Sequence, residues 1–333
     1  MTSQDAPTVL LTDRAWPDDS VERAIIEAAG LRLVSGPPDP APAEEIERLV
    51  REHQPAAVMT CWAQVSAAAI AAAPVRHVAR LGVGLDNIDV PAATARGAWV
   101  TNVPDYCIDE VSDHALAMVL AWTRGLIPAN RAVHEGVWDP AAARLRRLAS
   151  LTCGVVGLGR IGRATANKLG AFGARVLGSD PGATAAPSGV ELVELGELLG
   201  ASDVVVLHAP LLPATHHLIG AAEIARMPVG GLLVNVSRGG LVDSDAVAAA
   251  LSGGHLSGAA LDVLESEPDV PQALRAHAGA ILTPHIAFSS DVSLIELRRS
   301  AAEEVVRVLR GDPPRCPCNQ PAAQAPAIAG AGS

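Results

Sequence analysis

The sequence predicts an α/β protein of two domains, each built on a parallel sheet. Short apolar runs alternate with helix-like stretches along most of the chain. A glycine-rich turn joins one such run to a periodic helix, and 333 residues suffice for two cores of ordinary size.

Residues 8–103 read TVLLTD, VERAIIEAAG, LRLVS, EEIERLVREH, AAVMT, AQVSAAAIAAA, RHVARLG and AWVTN in turn. Brief apolar runs separated by helix-like stretches indicate a small parallel sheet with crossover helices. The Pro-rich SGPPDPAPAE is a loop before the second helix. Residues 109–124, DEVSDHALAMVLAWTR, form a helix that is apolar over much of its circumference and must be buried somewhere. A second segment follows and ends in ARLRRLASLT.

Residues 154–180, GVVGLGRIGRATANKLGAFGARVLGSD, pack a strand, three spaced glycines, a helix and a second strand ending in an acid into one βαβ unit. Gly157 allows the tight turn, Gly159 lets the backbone approach a pyrophosphate, and Gly162 lets the helix pack close to the sheet. Phosphates would sit on the N–H groups of the helix starting near Arg160 and Ile161. Asp180 stands where a carboxylate accepts from both ribose hydroxyls and repels a 2′-phosphate, which predicts NAD as the cofactor. The later runs ARVLGSD, DVVVLHAP, GLLVNVSRG, GAALDV and AILTPH bring the strand count to six, a Rossmann-type doubly wound domain.

A last helix, over residues 293–309, carries Leu294, Leu297, Ala301, Val305 and Val308 at helical spacing. It comes too late to extend the second sheet, so the chain is expected to cross back onto the first domain. The expected boundaries are residues 1–103 with 289–318 for a discontinuous substrate domain, 104–288 for the nucleotide domain, and 319–333 for a disordered tail.

Composition narrows the partners. A net charge of −11 argues against nucleic acid, which needs a clustered basic surface, but leaves room for a small anionic substrate held by one or two local cations. No apolar run has the length of a membrane span, and MTSQDAPTVLLTD lacks the features of a signal peptide, so a cytoplasmic protein is expected. Five scattered cysteines, an odd number, fit a reducing compartment. The close pair Cys316 and Cys318 has no second pair, so neither a zinc site nor any other metal site is expected.

Ligands of open α/β sheets bind beyond the carboxyl ends of the strands. Arg238 follows GLLVNVS, Glu267 comes shortly after GAALDV, and His285 follows AILTP. An arginine, a carboxylate and an imidazole at three successive strand ends suit the reversible reduction of a 2-keto acid.

The segments LGVGLDNID, GLGRIG, LHAPLLPATHHLI, VNVSRGGLVD, ALDVLESEP and TPHIA resemble, in order and spacing, the NAD-dependent D-2-hydroxyacid dehydrogenase family. The resemblance implies a flavodoxin-like smaller domain, a 2-keto acid held in a cleft between domains, and Arg238, Glu267 and His285 as the catalytic residues. The substrate carboxylate would rest on N–H groups at Val83 and Gly84 and on Arg238. His285 would donate a proton to the ketone oxygen as hydride reaches the carbon, with Glu267 orienting the imidazole and stabilising its protonated form; reduction should then be faster below neutrality and oxidation above it. The same resemblance places His208, Ala209, Pro210, Thr215, Val236 and Ser237 around the cofactor and Asp262 on its carboxamide.

DYCIDEVSDHALAMVL resembles the family's dimer-forming arm, which implies a homodimer. NVPDYCIDEVSDHALA and the segment HIAFSSDVSLIELRRSAAEEVVRVLRGDPPR resemble the branch that includes C-terminal binding proteins, in which Phe288 would be a bulky wall beside His285 and Trp62 the opposite wall. Two alternatives remain at this level: an NADH-sensing, corepressor-like binding protein with vestigial activity, and a phosphite- or phosphonate-type dehydrogenase. His134, His216, His217, His255 and His277 are expected at the surface.

Overall fold

The computed structural model describes residues 6–321. They form two compact units, one from the chain up to residue 106 together with residues from 290 onward, the other from residues 107–289. In chain order the first unit contains β1 (Thr8–Leu11), α1 (Ser20–Ala28), β2 (Arg32–Ser35), α2 (Ala43–His53), β3 (Ala57–Thr60), α3 (Ala67–Ala71), β4 (His77–Arg80), α4 (Val90–Ala95) and β5 (Trp99–Thr101). The second contains α5 (Ile108–Thr123), α6 (Leu126–His134), β6 (Thr152–Val156), α7 (Arg160–Ala171), β7 (Arg175–Ser179), β8 (Val190–Leu192), α8 (Leu195–Ala201), β9 (Val204–Leu207), α9 (Ala221–Ile224), β10 (Gly231–Asn235), α10 (Ser244–Ser252), β11 (Leu256–Leu261), α11 (Gln272–Arg275) and β12 (Ala280–Leu282). The chain returns to the first unit as α12 (Ser293–Leu309).

The first unit is a parallel sheet in the order β2-β1-β3-β4-β5, the flavodoxin-like order. β1 and β3 are buried along their whole length, as strands covered on both faces must be. Leu10, Val58 and Val78 from the sheet share one apolar cluster with Ile46, Val50 and Ile70 from α2 and α3. α12 packs against α1, β3 and β4, and that packing encloses an ion pair. Arg298 Nε and Nη2 donate to both oxygens of Glu22 at 2.9–3.1 Å; the Glu22 side chain is fully buried, and the guanidinium lies 5.4 Å from the Trp16 ring centroid.

Asn319, assigned to the tail by the sequence, is instead part of this unit. Its Oδ1 accepts from Val100 N (2.8 Å), and its Nδ2 donates to Ala98 O and Thr94 Oγ1 (2.9 Å each), so it covers the open edge of β5. Cys318 N bonds to Val100 O at 2.8 Å. The rest of the expected tail, residues 322–333, lies outside the described residues.

The second unit is a seven-stranded parallel sheet in the order β12-β11-β10-β9-β6-β7-β8. The added strand, β8, is a three-residue edge in which only Val190 is buried, too short and too polar to register as an apolar run. The two halves of the sheet diverge between β6 and β9, which makes the carboxyl ends of those two strands the topological switch point. The apolar helix α5 is covered within its own unit: Val111, Ala115, Leu116, Met118 and Val119 are buried, and the helix packs on α7, β10 and β11. Gly258 makes room on β11 for the Trp122 indole, since a Cβ there would come within 2.6 Å of it. The covered face of α5 therefore supplies no reason for a dimer. The exposed apolar side chains lie further on, at Leu126, Ile127, Val133, Val137, Trp138 and Leu145, with Trp138 84% exposed. Among the described residues no helix is long and apolar enough to cross a membrane.

Truncating one member of a buried ion pair strands the other charge, at a cost of about 3–5 kcal/mol. Glu22→Ala leaves Arg298 bonded to Asp18 O (2.9 Å) and Oδ1 (3.1 Å), so it is expected to lower unfolding stability by less than that, about 2 kcal/mol, measured by denaturant titration. A loss below about 0.5 kcal/mol, typical of a surface substitution, would show that the pair does not fasten α12 to the first unit.

Candidate active site

At the switch point the glycines are required by sterics. Gly157 has φ +91°, and a Cβ on it would stand 2.7 Å from Ala209 N, on the turn after β9. A Cβ on Gly162 would stand 1.9 Å from Gly157 O, so the first turn of α7 and the turn before it can close only without one. Gly159, the N-cap of α7, is exposed with open space where its Cβ would be. Open space over a helix N-terminus is the cradle a pyrophosphate needs, so these residues fit a dinucleotide. Arg160 and Ile161 begin the helix above that space. Asp180 follows β7; Oδ2 accepts from Leu158 N (2.7 Å) and Oδ1 from Gly182 N (2.8 Å). These bonds fix the carboxylate at the cradle's edge and leave each oxygen a lone pair for a ribose hydroxyl.

The other predicted cofactor residues divide. His208, Ala209 and Pro210 follow β9 beside Gly157. Burial pushes the His208 imidazole down to about 4, so it is neutral, and its Nε2 is buried without a partner. Thr215 is committed to its own loop: Oγ1 donates to Pro210 O (2.7 Å) and accepts from Leu212 N (2.8 Å). Val236 is buried, and Ser237 Oγ donates to Ala209 O (2.7 Å), tying the end of β10 to the end of β9. Asp262 is also occupied from within. Its Oδ1 accepts from Thr283 Oγ1 (2.6 Å) and Ile286 N (3.0 Å), its Oδ2 from Ala287 N (2.9 Å), and its side chain is 1% exposed.

Those bonds build the turn that carries His285. His285 sits in the left-handed region at φ +52°, unusual for a residue with a side chain. Its N–H donates to Asp262 O (2.8 Å) and Thr283 O (3.1 Å), while the Asp262 carboxylate holds the next two N–H groups. His114 of α5 extends the clamp, with Nε2 3.1 Å from Thr283 Oγ1. The turn aims the imidazole at Glu267: Nδ1 lies 2.8 Å from Oε2. Glu267 Oε1 accepts from Leu264 N, also at 2.8 Å. Burial disfavours the Glu267 carboxylate, but the His285 hydrogen bond and charge, the Leu264 N–H and the positive charge of Arg238 outweigh it and lower its pKa below the ordinary 4.5. Arg238, directly after β10, donates from Nη1 to Ser237 O (2.8 Å). Phe288 meets the imidazole edge-on, with centroids 6.0 Å apart. The three residues expected to carry chemistry are thus electrostatically coupled at adjoining strand ends.

The predicted residues of the first unit lie beyond the carboxyl ends of adjacent strands. Trp62 follows β3, where Asp13 accepts from the N–H groups of Cys61 (3.0 Å), Trp62 (2.6 Å) and Ala63 (3.1 Å). Val83 and Gly84 follow β4 in a turn fixed by Asn102 Nδ2 on Val83 O (2.7 Å) and Val103 N on Gly82 O (3.0 Å). The buried Arg80 guanidinium lies against Gly82, at the point where a Cβ would come within 2.6 Å of it. Sequence reasoning missed Asp13, Arg80 and His114. For Asp13 and Arg80 the available signal was a charged residue closing an apolar strand run.

Residues 116–287, more than half the chain, match the family model described as D-isomer specific 2-hydroxyacid dehydrogenase, NAD binding domain. The chain is also 40% identical over 258 residues to a glyoxylate reductase from Korarchaeum cryptofilum, spanning 75% of this chain and 78% of that one. It belongs to the D-isomer-specific 2-hydroxyacid dehydrogenase family. A D-3-phosphoglycerate dehydrogenase from Mycobacterium tuberculosis is 38% identical over 310 residues, 92% of this chain but 57% of the relative, so this dehydrogenase-family chain spans little more than half the length of that protein. Among solved structures, the TT0316 protein from Thermus thermophilus superposes with a TM-score of 0.85 at 33% identity, covering 94% of this chain and 100% of the other. In family terms, the glycine turn and Asp180 lie within the NAD-binding domain.

The sterics separate two glycine substitutions. Gly159→Ala is expected to leave thermal stability unchanged while weakening NADH binding about tenfold or more, because its Cβ enters only the open cradle. Gly162→Ala is expected to lower both. Fluorescence titration and thermal unfolding check this, and equal NADH affinity in Gly159→Ala and wild type would contradict the assigned cradle.

Proposed function

We propose that the chain reversibly reduces a small 2-keto acid to its D-2-hydroxy acid with NADH, with Arg238, Glu267 and His285 as the catalytic residues. The observation that carries the reading is the 2.8 Å contact between His285 Nδ1 and Glu267 Oε2, made from a left-handed backbone that a separate carboxylate enforces. NADH supplies the hydride when bound. Arg238 binds the substrate carboxylate through its guanidinium and polarises the ketone. His285 Nε2 donates a proton to the ketone oxygen as the carbon accepts the hydride, and Glu267 supports the imidazolium before transfer. In the oxidative direction the neutral imidazole takes the hydroxyl proton.

Val83 and Gly84 are proposed as further carboxylate donors, the first unit as the substrate domain, and Trp62 and Phe288 as selectivity walls. Ala209, Pro210 and Val236 are proposed to pack against the cofactor. For Asp262 the bonding supports a role in holding the His285 turn, and for Thr215 a role in closing its loop. The names of the relatives, a glyoxylate reductase and a D-3-phosphoglycerate dehydrogenase, support an anionic acid as substrate. A sensor with vestigial chemistry needs no acid–base pair, so the intact pair favours turnover. We propose the cytoplasm as the location and a homodimer as the state, through the exposed apolar surface at α6.

Reduction takes a proton from the imidazolium and oxidation returns one to the neutral ring, so the reductive rate is expected to fall and the oxidative rate to rise as pH rises through neutrality. The lowered pKa of Glu267 keeps its carboxylate charged across that range. In Glu267→Gln the imidazolium loses the anionic partner that Nδ1 meets at 2.8 Å, so the reductive rate is expected to fall and its pH profile to change shape. Initial rates in both directions across pH check this, and profiles identical to wild type would remove Glu267 from the proposed role. For the dimer, light scattering of Val133→Glu/Trp138→Glu is expected to show a monomer where the parent protein shows a dimer; an unchanged mass would exclude that surface.

A further inference from the structure

The loops after β9 and β11 meet at His216, His217 and Glu265, which the catalytic scheme does not use. One ring nitrogen of each histidine and one oxygen of Glu265 all lie within 4.8 Å of one another, the only such group of three among the described residues. His217 Nε2 is 2.5 Å from Glu265 Oε1, and the two imidazoles stack with centroids 4.0 Å apart and 26° between planes.

Consecutive side chains ordinarily diverge. These converge because His217 has φ +51°, a left-handed conformation that a non-glycine residue keeps only when its surroundings impose it. His217 N donates to Gly240 O (2.8 Å) and His216 N to Leu212 O (3.0 Å). From the other side Glu265 Oε2 accepts from Ser244 N at 3.1 Å, which orients the carboxylate as outer-shell bonds orient metal ligands.

We propose that His216, His217 and Glu265 bind one divalent ion of the zinc class, with water completing its coordination. Two imidazole nitrogens and one carboxylate oxygen make the mixed N/O donor set that suits Zn²⁺, whereas Ca²⁺ and Mg²⁺ prefer oxygen alone. The three residues are exposed, so an ion can enter without unfolding the chain, replacing the proton shared between His217 and Glu265 as those two side chains part. Binding staples two loops beside the chemistry. Glu265 adjoins Leu264, whose N–H holds Glu267, and Gly239, next to Arg238, packs so closely on Leu264 that a Cβ would come within 2.0 Å of its carbonyl carbon. The ion takes no part in hydride or proton transfer.

The test uses tag-free, chelator-treated full-length protein titrated with Zn²⁺ by calorimetry and with Co²⁺ by visible absorption. One saturable equivalent and a Zn²⁺-dependent rise in Tm are expected. Loss of an outer-shell partner already costs about 10–100-fold in metal affinity, so His216→Ala, at a residue without left-handed backbone, is expected to weaken binding at least that much. The His216→Ala/His217→Ala pair is expected to abolish binding, and His285→Gln to retain it. Absence of saturable binding in the wild type, or undiminished binding in the double variant, would overturn the proposal.

Discussion

Holding a histidine in the left-handed region costs about 1–3 kcal/mol, and the second unit holds His285 there by directing a buried carboxylate at the following two N–H groups. Asp262 occupies the end of β11 and the turn follows β12, so the clamp joins neighbouring strands of one parallel sheet. The position of the imidazole depends on that arrangement. With the turn fixed, Nδ1 meets Glu267; with the turn relaxed, the same residues would be an ordinary surface histidine and a solvated acid.

Both units place reactive groups by one rule. Parallel strands point their carboxyl ends the same way, so residues distant in sequence arrive at one edge of a sheet. In the second unit that edge carries Gly157, Asp180, His208, Arg238 and His285. In the first it carries Asp13, Trp62, Arg80 and the turn at Val83. In each case a buried charged side chain braces the functional turn, Asp262 under His285 and Asp13 under Trp62. A buried charge is tolerated when hydrogen bonds satisfy it, and the backbone N–H groups that satisfy these two are those of the turns themselves.

Much of this was legible in the sequence because it rests on local patterns. Apolar runs marked the strands of both sheets except β8, where a three-residue edge carries too little apolar signal. The glycine spacing marked the cradle, and strand-end positions marked Arg238, Glu267 and His285. Contacts between distant residues were not legible. The bond from Thr283 to His114, the cover that Asn319 gives β5, and the meeting of Glu265 with His216 and His217 each join residues that no spacing rule connects. For Asp262 the resemblance implied a cofactor contact, and nothing in the spacing announced the bonds its carboxylate makes to Thr283 and the His285 turn. The apolar circumference of α5 was likewise ambiguous, since burial against α7 and burial against a second chain leave the same pattern.

The most direct measurement follows deuterium from C4-deuterated NADH into a 2-keto acid, comparing wild type with His285→Gln at equal cofactor occupancy. The wild type should place the label at C2 of a D-hydroxy acid. Removing the proton donor should slow transfer by about 10²–10⁴-fold without loss of NADH binding. Transfer at the wild-type rate in His285→Gln, or bound NADH that delivers no label to any 2-keto acid in the wild type, would contradict the account.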